Sequence, residues 1–141
     1  MNKDQWVWMP HAAHFICGND CRFHLATYVG DYIVSTVGEY LPDSEVREII
    51  ASVKKIKLEG RGDIRLADFM KKCGYQDLGV DRKYETMVFK GRKQDKHKCC
   101  PYRIEDYTEI DCNGYNKAED AYKGHLELCE KWGLNPPKEP A

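Results

Sequence analysis

The sequence predicts an α+β fold, a small antiparallel sheet of three to five strands with two helices on one face and a zinc-anchored C-terminal helix. Three observations carry this expectation. Two β-branched and aromatic runs, 25–29 and 32–37, flank Gly30-Asp31, a two-residue loop that accepts the positive φ of a primed hairpin turn. Apolar residues recur at helical spacing in 46–56, 66–73 and 118–132. Two ligand pairs, His97-x2-Cys100 and His125-x3-Cys129, have the two-plus-two arrangement that tetrahedral Zn2+ favours.

Taken in order, Trp6-Val7-Trp8 reads as a short extended arm ended by Met9-Pro10, its indoles covering a core edge. Ala13, Phe15 and Cys17 alternate like the inward face of a strand, with Gly18-Asn19-Asp20 as the following turn. After the hairpin, Gly38-Glu39 marks a bulge or a strand end. Asp43 then caps a helix whose Val46, Ile49, Ile50, Val53 and Ile56 share one stripe, and Asp63 caps a second with Leu66, Phe69, Met70 and Cys73 inward and Gly74 as its left-handed stop. A strand over 84–90 places Met87 and Phe89 on one side. Asn113-Gly114 reads as a turn, Asn116 as the cap of the last helix, and Ala118, Ala121, Tyr122, His125, Cys129 and Trp132 as one face ended by Gly133.

The first ligand pair would sit on a turn held by Pro101 and the second on one helical face, where residues four apart lie one above the other. Cys99 beside Cys100 competes with His97 for one position. The competing reading makes these residues ordinary buried thiols and a surface histidine. A closed four-ligand site leaves no open position for substrate, so its role would be structural. Five further potential ligands lie in 11–24, and His14, Cys17, Cys21 and His24 are candidates for a second metal. If two or three of His11, His14, Cys17, Cys21 and His24 held a catalytic ion, Asp20 or Glu39 would serve as general base.

At 141 residues the chain is read as one domain over 1–134, with a zinc-binding subregion at 97–132 and a disordered tail at 135–141. No apolar run approaches the length of a bilayer span, and Met1-Asn2-Lys3-Asp4 leads into Trp6 without the apolar core of a leader. A cytoplasmic setting is therefore expected, with the seven cysteines as thiols and metal ligands. The net charge of −1 argues against a general nucleic-acid binder. Its distribution is uneven, since 81–103 holds eight Lys or Arg against three acids and 104–141 nine acids against four Lys.

Trp8-Met9-Pro10-His11-Ala12-Ala13-His14-Phe15-Ile16-Cys17, Cys21-Arg22-Phe23-His24-Leu25, the run 32–40 and the run 81–89 together resemble a group of small, zinc-binding proteins encoded by bacteriophages. Those relatives carry Cys-x2-Cys-Pro-Tyr where this chain has His97-x2-Cys100-Pro101-Tyr102. The resemblance implies a Zn2+-stapled protein that acts in the host cytoplasm, in the manner of anti-CRISPR inhibitors that keep an effector such as Cas9 from DNA. On that reading the chain is a non-enzymatic inhibitor that binds a host protein effector, and Glu119, Asp120, Glu127 and Glu130 are the partner-binding candidates. Two alternatives remain: a metal-dependent hydrolase or nuclease using the N-terminal cluster, and nucleic-acid binding by the basic strip 82–103 with Tyr84, Phe89 and Tyr102 as stacking partners.

Overall fold

Period-two alternation of inward and outward side chains sets the sheet. The computed structural model describes residues 6–10, 20–78, 81–94 and 100–134. Within them β1 (Val7–Met9), β2 (Cys21–Val29), β3 (Tyr32–Tyr40), β4 (Tyr84–Lys93) and β5 (Tyr102–Tyr115) form an antiparallel sheet in chain order. The β2–β3 turn holds Gly30 at φ 58°, as the expected hairpin requires. Both strands run further than the β-branched cores suggested, because Phe23 pairs with Gly38 and Cys21 with Tyr40. Gly38 is needed where it stands, since a β-carbon there would overlap the Tyr84 ring packed across it.

One face of the sheet is covered by α3 (Ala118–Leu134). Ala121, Leu128, Cys129 and Trp132 bury against Val29, Val34 and Val88, with Trp6 closing the edge. The opposite face gathers Ile33, Phe89 and Ile104, flanked by Met9, Tyr28, Met87 and Tyr102. Met87 and Phe89 do share a side of β4, as the alternation predicted.

The helices α1 (Ser44–Val53) and α2 (Gly62–Lys72) do not join α3 on the sheet. They make a separate core of Leu41, Ala51, Leu58 and Phe69 with Ile50, Leu66 and Met70 against it, which corrects the expectation of two helices layered on one face. Asp43 caps α1 as predicted, accepting from the Val46 amide at 3.0 Å. Asp63 does not cap α2: the cap is Arg61, without a side-chain bond, and Asp63 lies in the first turn where its charge suits the helix end. Gly74 at φ 69° is the left-handed stop after α2.

Three further expectations change. Asn113 and Gly114 lie inside β5, paired with Thr86 and Glu85, and not in a turn. Asn116 accepts the Lys83 amide at 3.2 Å, which binds β4 to the start of α3. Gly133 continues α3, pressed so closely on Val29 that a β-carbon would lie 2.8 Å from it. No helix among the described residues is long and apolar enough to cross a membrane. The expected strand over 13–17 and the tail at 135–141 fall outside the described residues.

Candidate functional site

Threonine on the inward face of a strand brings a hydroxyl into an apolar layer, and a buried hydroxyl needs a partner. Here three do so at neighbouring positions, Thr27 on β2, Thr36 on β3 and Thr86 on β4, all with no solvent exposure. Into this patch α3 sends His125, also fully buried. The imidazole Nε2 lies 2.8 Å from the Thr27 hydroxyl and Nδ1 2.7 Å from that of Thr36, and Thr36 meets Thr86 at 2.6 Å. Thr27 also bonds the Cys129 thiol one turn along α3, and Thr86 bonds the Tyr115 hydroxyl at the end of β5. The result is one chain of hydrogen bonds from Cys129 to Tyr115 across four strands and a helix.

Burial sets the ionisation of this chain. It pulls His125 down to about 4 and pushes Cys129 up to about 12, so at neutral pH the pair is an uncharged imidazole and a thiol. A neutral imidazole has one N–H and one lone-pair nitrogen, and two threonine hydroxyls satisfy both. Trp8 from β1 stacks over the ring at 5.5 Å with its own outer face half exposed. At the other end of α3, Asp111 of β5 accepts Lys131 Nζ and Trp132 Nε1, each at 2.9 Å. Burial works to raise its carboxyl, but those two donors outweigh it and hold Asp111 below the usual carboxylate range.

Among the described residues the expected zinc site is not assembled. His97 and its rival Cys99 lie outside the described residues. Cys100 lies in the bend before β5, whose first residue, Tyr102, stacks on Tyr28 on the face opposite α3. His125 and Cys129 are core residues whose polar atoms are already engaged by threonines. They do not fit a metal without breaking that chain. Among the described residues no group of three or more His, Cys, Asp or Glu is placed to hold an ion.

Of the second metal set, His14 and Cys17 lie outside the described residues, as does His11. Cys21 is taken up in a disulfide, which corrects the expectation that every cysteine is a thiol. His24 is exposed on β2, three residues from Cys21, where it opposes Val37 of β3. The bases proposed with that set are also separated. Asp20 is exposed beside β2, whereas Glu39 accepts the Tyr84 hydroxyl at 2.9 Å.

Glu119, Asp120, Glu127 and Glu130 do come together, all exposed on the outer side of α3. Lys123 and Lys131 stand among them, but Lys131 is drawn to Asp111. A shallow cleft of about 490 Å³ opens beside Asp120 and Glu127, with Lys117 and Lys123 also lining it and Tyr115 and Gly124 at its floor. The stacking partners expected on the basic strip are spent inside the fold: Tyr84 and Phe89 are buried, and Tyr102 lies face to face with Tyr28 at 3.6 Å. Sequence reading missed Thr27, Thr36, Thr86 and Tyr115. Their signal was alternation with apolar neighbours, which placed them inward but did not reveal that one histidine would join them. No family model, curated protein or solved structure matches the chain.

Proposed function

We propose that the chain is a non-enzymatic binding protein that lays the acidic face of α3 on a basic, nucleic-acid-binding groove of a host defence enzyme, with Cas9-type effectors as the first candidates. The observation that carries the reading is the charge of that face. Four exposed carboxylates are set against Lys123, while Lys131 is engaged by Asp111. The face is held rigid from behind, because α3 is fixed by the His125 chain and the Asp111 clamp. A partner meeting it loses little conformational freedom in α3. The resemblance to phage-encoded proteins favours a host enzyme as partner.

Charge reversal tests it. A variant carrying Lys at 119, 120, 127 and 130 is expected to lose binding to the effector and inhibition of its DNA engagement, with the larger part of the loss in association rate and with loss of salt sensitivity. Unchanged binding and inhibition would remove this face from consideration.

A further inference from the structure

Eight Lys or Arg lie in 81–103, and the structure divides them. Arg82 lies beside Glu85, Lys83 pairs with Asp77 at 3.0 Å, and Lys90 stands across the ladder from Asp106. Lys96 and Lys98 are outside the described residues. Arg92, Lys93 and Arg103 remain, all exposed, with no ion pair among the described residues.

Their placement is specific. Beyond Gly91, whose amide bonds Asp31 at the β2–β3 turn, β4 and β5 continue as a two-stranded ribbon. Its inner side is anchored: Gly91 approaches Ile33 so closely that a β-carbon would lie 2.8 Å away, Ile104 is buried, and Tyr102 stacks on Tyr28. Alternation then turns Arg92 and Arg103 outward, and the register sets them directly opposite each other. Two like charges at that position repel, and Glu105 is exposed nearby but opposes neither in the ladder. An anion bridging the two guanidinium groups relieves the repulsion.

We infer that the outer face of this ribbon, through Arg92 and Arg103, docks on the phosphate backbone of a nucleic acid. Both side chains are exposed, so a lone anion would be held weakly, whereas a polymer supplies a phosphate to each cation and releases its condensed counterions. A DNA strand carries one phosphate per roughly 3.4 Å, denser than an acidic peptide strand whose same-face side chains repeat at roughly 6.6 Å. The contact carries no base readout, because Tyr84, Phe89 and Tyr102 are committed to the fold. It is independent of the α3 face, which belongs to another element and carries the opposite charge.

The test is fluorescence anisotropy with a short labelled DNA oligonucleotide of mixed sequence, comparing wild type, Arg92→Gln/Arg103→Gln, and Lys54→Gln/Lys55→Gln as a control with the same change in net charge. Binding is expected to fall about tenfold in the arginine variant and to stay within about twofold in the control, with a wild-type salt slope of about −1.4 for two phosphates contacted by a single strand. Melting temperature reports folding of each variant, and Arg92→Gln alone, which removes the repulsion while keeping one arginine, gives an intermediate loss. Failure of the wild type to bind at low salt, or equal binding by the arginine variant, would overturn the inference. Equally tight binding of polyglutamate, or displacement of the oligonucleotide by an equal concentration of inorganic phosphate, would also overturn it.

Discussion

Helix α3 and the hairpin α1–α2 are both amphipathic, yet one turns its apolar stripe onto the sheet and the other turns much of it to solvent. In α3 the inward residues Ala121, His125, Cys129 and Trp132 are at most 3% exposed. In α1, Val46, Ile49 and Val53 sit on one helical stripe and are 37, 62 and 78% exposed, while the buried residue is Ala51. The difference teaches that periodicity fixes which residues share a face, and the partner decides which face is buried. The sheet offers α3 a layer of valines and three hydroxyls. The α1–α2 pair offers α1 a small core of Leu41, Leu58 and Phe69 with the half-buried Leu66 and Met70, and that core is met by the Ile50 and Ala51 side.

Substitutions can break this comparison in a graded way. Trp132→Ala should cost about 3–5 kcal/mol in chemical denaturation, felt by the whole sheet, since it removes a buried indole and one donor to Asp111. Phe69→Ala removes a side chain of similar worth, but its effect should stay local: hydrogen exchange should show lost protection in α1 and α2 with β2 to β4 unchanged. Protection lost equally in both regions would show that the two cores are one.

Acid should act on the α3 side. The folded protein holds His125 at about 4 against 6.5 for an unhindered histidine, so the unfolded chain takes up the proton first. Stability is then full above pH 6.5 and falls as pH drops towards 4, by up to about 3 kcal/mol. His125→Gln, which keeps one donor and one acceptor, should flatten this slope over the same window; an unchanged slope would assign it elsewhere. Alkali acts through Cys129, whose unfolded thiol ionises from about 9 while the folded one resists to about 12, so stability declines above pH 9. The smallest effect is expected from Ile49→Ser and Val53→Ser, within about 0.5 kcal/mol, because both side chains already face water.

The hairpin, the α1 cap and the α2 stripe were legible in the sequence because each is settled locally, by Gly30, Asp43 and the spacing of Leu66, Phe69, Met70 and Cys73. β5 was not, since the pairing that makes it a strand is contributed by β4, and its residues 105–109 are exposed and mostly charged. The His125-x3-Cys129 pair was correctly placed on one inward face of the last helix. What that face meets was not legible, because spacing on a helix reports a shared face and says nothing of what faces it. Three threonines from three strands do. The acidic residues of α3 were legible as a surface, since exposure follows once the buried face is known.

The most direct test of the claim that His125 is a satisfied core residue is long-range proton–nitrogen correlation NMR of its ring across pH, with and without added Zn2+. A single neutral tautomer that does not titrate until pH approaches 4 and does not respond to zinc is the expected result. A ring that titrates near 6.5, or whose nitrogen shifts when one equivalent of zinc is added, would contradict it.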